Sequence, residues 1–260
     1  TTIPLTPALA LCVSESPIET IQCTEEIATA AFVETRQRLA TSPEVSLDFD
    51  VRVSNNSKSS SVTRVSNAMR PGVSFWNSEV PSSKSTILFV VSGHDLGWLD
   101  NALVLLGYED LQLFSLEDQT ALQNGSLAIG VALGAPTIDG GKVIIFVNIS
   151  NFFSSSSAVF GIDPAIEVAA HEWTHTVQQV LSDNSSGAPC WWDEGSASYF
   201  GEVISSLDNI ISFDDFLRRR SRFVRLRVEA EANHRTEDAW SDWLGNEQCN
   251  DDSYGAGFLV

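Results

Sequence analysis

The segment "DPAIEVAAHEWTHTVQQVLS" (163–182) constrains this chain more than any other. Asp163 followed by Pro164 reads as a helix start. The carboxylate can accept from an early backbone N–H, and proline suits the first helical position, where its missing N–H costs nothing. The spacing predicts a helix that runs until "DNSSGAPC" (183–190) breaks it. His171 and His175, two of only four histidines in 260 residues, stand one turn apart on it. Residues four apart share a helical face, so both imidazoles can reach a single ion. Glu172 lies one residue round from His171. It can border that ion without binding it, and can take a proton from water that the ion has acidified.

A catalytic zinc wants a third protein ligand and an open position. After His175 come residues 176 to 193, eighteen in all, and then Glu194 in "WWDEGSASYFGE". This stretch reads as a second helix (192–207), able to lay its carboxylate beside the first. H-E-x-x-H at 171–175, followed at this distance by a glutamate within "WDEGSASY" (192–199), resembles the gluzincin metallopeptidases, the group that includes thermolysin and a large family of zinc aminopeptidases. The resemblance spans 163–202 and, more loosely, 250–260; residues 1–140 carry none of it. It implies Zn2+ as cofactor, held by His171, His175 and Glu194. It implies Glu172 as general base and then acid to the leaving amine. It also implies a two-lobed α+β catalytic domain, with a mixed sheet in the first lobe and a mostly helical second one. One position departs from the thermolysin pattern. Where those enzymes carry an Asp that orients a ligand histidine, four residues after the glutamate, this chain has Ser198. Its hydroxyl, or Glu167 one turn before His171, is left to orient the ring.

Gluzincins also use a downstream Tyr or His to stabilise the tetrahedral oxyanion. Tyr254, in "DDSYGAGFLV", resembles the Y-x-x-G of the aminopeptidase branch and is the first candidate. His234, in "EANHRTEDAW", has suitable chemistry and is the second. Tyr199 belongs to the glutamate helix and reads as a packing residue. The aminopeptidases hold the substrate's free amine with G-x-M-E-N. The single methionine here, Met69 in "NAMRPG", is no part of such a motif, so an endopeptidase fits better. In such enzymes an edge strand pairs with the extended peptide, and "KVIIFVNIS" (142–150) is the expected strand by its position before the metal helix.

Elsewhere, "TEEIATAAFVETRQRLATS" (24–42) reads as a helix with Thr24 as N-cap, and "VSLDFDVRVS" (45–54) alternates as a half-buried strand. "NNSKSSS" (55–61) reads as a polar loop. "TILFVVSG" (86–93), "SLAIGVALG" (126–134) and "GGKVIIFVNIS" (140–150) read as strands, and "HDLGWLDNALVLLG" (94–107) as a helix stopped by Gly107. "SFDDFLRRRSRF" (212–223) reads as a further helix. Strands before residue 160 and helices after it give an α+β layout. The lobes are 1–182, ending in the H-E-x-x-H helix, and 183–260, carrying the glutamate. Val260 falls inside an apolar stretch of helical character, which leaves a continuation open.

Net charge is −19, so the surface repels nucleic acid and anionic membranes. No apolar run nears a membrane span. The partner expected is a peptide or protein substrate. Thr1 opens the chain with no charged-then-apolar leader, as expected if a signal peptide has been removed. Cys12, Cys23, Cys190 and Cys249 form no C-x-x-C pair. Their spacing favours Cys12–Cys23 and Cys190–Cys249 bridges and a secreted or cell-surface setting, against four buried thiols in a reducing one. The bridge 190–249 would also bring the Glu194 and Tyr254 segments together. "RRRSRFVRLR" (218–227) holds six of the fifteen cationic residues and reads as a solvated helix face, with recognition of acidic groups as the other reading. The tryptophans of "CWW" (190–192) read as core. The rival from another class is a non-catalytic surface-adhesion or assembly module that keeps a metallopeptidase fold. Glu172 argues against it, since a structural metal site needs no base.

Overall fold

Every strand that the apolar runs predict is present, and they join in one sheet. The computed structural model describes residues 17–80, 86–109, 111–134, 141–149, 163–182, 190–206 and 215. Among these residues there are four strands, β1 (Asp50–Val53), β2 (Thr86–Val91), β3 (Ile129–Gly134) and β4 (Lys142–Val147), in the order β1-β2-β4-β3. β1, β2 and β4 run parallel, and β3 runs antiparallel to β4. The described residues are thus α+β with a small mixed sheet.

Helices cover both faces. The even-numbered side chains of the central strands, Leu88, Val90, Ile144 and Phe146, pack with α2 (Ser59–Phe75) and α5 (Pro164–Leu181). The odd-numbered ones, Ile87, Phe89, Val91, Val143, Ile145 and Val147, pack with α3 (Leu96–Val104) and include Leu122 of α4 (Leu116–Gln123). All six residues of β2 and all six of β4 are buried. Uninterrupted apolar runs are what a strand covered on both faces requires. α1 (Pro17–Thr41) docks on α2 through Arg38, which pairs with Glu79 and lies over the rings of Phe75 and Trp76. α6 (Cys190–Ser205) packs chiefly against α5.

Several expectations need correction. "KVIIFV" is not an edge strand: β4 sits between β2 and β3, and among the described residues the edge on that side is β3. Thr24 is not an N-cap, because α1 begins at Pro17. Only 50–53 of the 45–54 segment form a strand. Val45, Leu47 and Phe49 nonetheless keep their alternation and pack on the core from an irregular stretch. The polar loop at 55–61 ends early. Ser59 starts α2, whose buried residues Ser61, Val65, Ala68, Met69, Gly72 and Val73 recur at helical spacing, with Pro71 inside it. The boundary at 183–189 and the helix expected at 212–223 lie outside the described residues, apart from the single residue 215. So do Cys12 and Cys249, and the side chains of Cys23 and Cys190.

The C-terminal ends of β2 and β4 are tied by Asn148. Its backbone is left-handed, with φ 54°. Its Oδ1 accepts from Gly93 N–H at 2.8 Å, and its Nδ2 donates to the carbonyls of Leu122 and Leu127 at 2.7 and 3.0 Å. Tyr108 fixes the far end of β3 by donating to the Gly134 carbonyl.

Candidate metal centre

α5 starts as its sequence dictates. Asp163 accepts from Ala165 N–H at 2.9 Å and Pro164 takes the first turn. The helix then divides its faces. Ala165, Ala169, Trp173 and Val177 enter the sheet core. Trp173 is completely buried, its ring centroid 6.0 Å from Phe49 and 5.4 Å from Lys142 Nζ. Burying a ring of that size is worth roughly 4–6 kcal/mol relative to full exposure. This fixes the rotation of α5 and turns His171 and His175 away from the sheet, toward α6.

α6 approaches closely because its facing residues are small. Ala197 and Ser198 are buried there. At Gly201 an added Cβ would lie 2.7 Å from the Glu167 carbonyl oxygen and 3.3 Å from His171 Cβ. With the helices at that distance, Glu194 meets both histidines. His171 Nε2 and His175 Nε2 are 3.0 Å apart, and Glu194 Oε2 is 3.3 Å from each. The three side chains are only 13–16% exposed. Glu194 Oε2 is buried with no hydrogen-bond partner.

These residues fit a metal ion. Two imidazole nitrogens and one carboxylate oxygen converge within 4.8 Å of one another. Metal–ligand bonds of about 2.0–2.1 Å in tetrahedral geometry put ligand atoms about 3.3–3.4 Å apart, close to the triangle found here. The buried carboxylate oxygen without a hydrogen bond is the atom such an ion would satisfy. His175 Nδ1 lies 2.8 Å from Gln178 Oε1, and Gln178 Nε2 donates to Asp193 O at 2.8 Å and to Ser196 Oγ at 2.7 Å. Ser198 Oγ is 3.5 Å from His171 Nδ1, beside the ring it was expected to orient, at the long limit of a hydrogen bond.

The charges balance within the cluster. Burial works against a charge on His175, but Glu194, Glu172 and Gln178 outweigh it and lift the ring to about 9. Burial would likewise raise Glu194, yet His171 and His175 outweigh it and hold the carboxyl at about 2. Without metal, His175 and Glu194 therefore form an ion pair at neutral pH.

Glu172 is placed differently. It is buried and faces β3, not α6. A Cβ on Gly130 would lie 2.8 Å from its Cγ and 2.8 Å from its Oε1. Burial pushes its carboxyl above the usual range; Glu194 adds to this, while His171, His175 and the backbone of Ala132 pull it back. The even positions of β3, Gly130, Ala132 and Gly134, are all small, and they turn toward α5 while Ile129, Val131 and Leu133 pack on the opposite core.

Tyr254 and His234 lie outside the described residues. Tyr199 packs as expected, its ring 5.1 Å from Phe200 and its hydroxyl 3.3 Å from Thr35 Oγ1. Trp192 does not read as core: it is 54% exposed. Gln178 and Gly130 escaped the sequence reading. The signal for Gln178 was its place three residues after a ligand histidine. For Gly130 it was the alternating small residues of "GVALG". Comparison with family models, with curated proteins and with solved structures finds no match to this chain.

Proposed function

We propose that this protein is a zinc-dependent peptidase of gluzincin type, cleaving bonds within peptide chains. The observation that carries the reading is the division of labour between two glutamates. Glu194 completes a three-ligand triangle, and Glu172, next to a ligand in sequence, is kept out of it and buried against a strand. Bound zinc would act as a Lewis acid that acidifies water and polarises a carbonyl. Glu172 takes the proton of the attacking water and returns it to the leaving amine. Its raised pKa suits both halves of that exchange. Among the described residues β3 is the edge strand beside this base, and an extended substrate would add to it as a further strand. The oxyanion donor is proposed as Tyr254, with His234 as the other candidate. The acidic surface and the expected cysteine bridges favour a secreted or cell-surface setting.

The test is zinc content together with hydrolysis of a casein-type substrate, with and without chelator. Stoichiometric zinc and chelator-sensitive cleavage are expected. Zinc without any cleavage would favour a binding module, and failure to take up zinc would remove the site.

A further inference from the structure

The amide of Gln178 contacts three groups, and the chemistry of one of them orients it. Asp193 O is a carbonyl and can only accept, so the amide atom 2.8 Å from it must be the NH2 group. The same nitrogen reaches Ser196 Oγ at 2.7 Å. The other amide atom is therefore the oxygen, and it faces His175 Nδ1 at 2.8 Å. An amide oxygen can only accept. His175 must then carry a proton on Nδ1, and in the neutral ring Nε2 is left with its lone pair, aimed at His171 and Glu194.

We infer that Gln178 is the positioning residue that joins the two halves of the centre: one end of its amide fixes the tautomer of His175, and the other holds the turn of α6 that presents Glu194. The inference rests on the metal reading above and deepens it. Asp193 and Ser196 flank Glu194, so one side chain on α5 sets the ring on its own helix and the carboxylate on the next. Partners of this kind typically change metal affinity by about 10- to 100-fold when removed.

Two substitutions separate the two functions. Gln178→Leu keeps the bulk and removes both. Gln178→Glu keeps an acceptor for Nδ1–H but has no N–H for the Asp193 carbonyl. Zinc affinity is measured by chelator competition, and the protection of the His175 Nδ1–H from solvent exchange by nitrogen-15 NMR of the ring. Gln178→Leu is expected to weaken zinc about 10- to 100-fold and to lose the protected proton. Gln178→Glu should keep the protected proton and recover the affinity only in part. A purely structural glutamine would lower the melting temperature and leave the ring proton unmoved. Unchanged zinc affinity in Gln178→Leu, with wild type binding normally, overturns this role alone. Wild type that takes up no zinc overturns the metal centre and this role with it.

Discussion

Glu172 and Glu194 both sense the same two imidazoles, and their surroundings separate them. Glu194 has cationic or metal-directed partners on one side and is held ionised. Glu172 is buried against Gly130 and is pushed toward its neutral form. Environments that drive two carboxyls apart in this way divide acid–base work from charge work. Glu172→Gln is therefore expected to bind zinc normally and to lose about 10²–10⁴-fold in kcat. Glu194→Gln removes an anionic ligand and should weaken zinc itself. Equal loss of metal in both variants would show the roles to be misassigned; metal analysis beside single-turnover kinetics reads this directly.

At the scale of elements, the position of the base depends on one small residue, Gly130, that lets β3 approach α5. A Cβ at Gly130 would sit 2.8 Å from Glu172 Cγ and Oε1, closer than such contacts tolerate. Gly130→Ala should push the carboxylate aside and leave the triangle alone. A displacement of about 1 Å at a reacting group can cost about 100-fold, so kcat should fall by that order with zinc content unchanged. Loss of zinc instead would mean that β3 supports the ligands as well as the base. Asn148 ties the strand ends at the same end of the sheet, where β3 begins beside the end of β4. Asn148→Ala removes three hydrogen bonds and leaves a left-handed backbone to a residue that resists it. It should cost about 2–4 kcal/mol in denaturant unfolding without touching zinc affinity. A loss below about 0.5 kcal/mol would show that the loop re-forms these bonds elsewhere.

The same scale shows what the sequence could and could not disclose. The ends of α5 were legible because Asp163 and Pro164 act locally. The triangle was legible because a helix fixes the separation of His171 and His175, and only the approach of α6 was left to infer. α2 was hidden: its opening serines read as part of a polar loop, and its apolar stripe makes sense only with the sheet in place. The edge was misplaced because position along the chain does not give strand order. The apolar run of β4 already carried the central-strand signature, and the glycines of β3 marked a close approach. Gln178 was illegible because its three partners lie on two helices.

For the whole molecule, the cluster joins α5 to α6, so its charge state and its metal should govern the stability of that junction. Consider first the metal-free fold. The pKa of His175 is raised from 6.5 to about 9, so its contribution is fully present below 6.5 and is lost as pH rises through 9. That of Glu194 is lowered from 4.5 to about 2, so its contribution is present above 4.5 and is lost as pH falls through 2. The ion pair therefore supports the metal-free protein best between about 4.5 and 6.5, and less with each step toward 9. Zinc competes with the proton on His175, so its binding must release that proton. Zinc affinity should accordingly rise with pH up to about 9, while the metal-free protein loses its ion pair over the same range. These are one linked effect, since the proton whose loss weakens the metal-free fold is the proton that zinc no longer has to displace. At a free zinc concentration about 100 times the dissociation constant, the stabilisation is about 2.7 kcal/mol, which for a chain of this size raises Tm by about 5–11 °C. Measured by thermal unfolding at fixed free zinc, the gap between metal-bound and metal-free Tm is expected to widen from pH 6 to pH 9, and to vanish in Glu194→Gln. A gap that stays level or narrows over that interval would mean that His175 is not a ligand, whatever the zinc content of the protein.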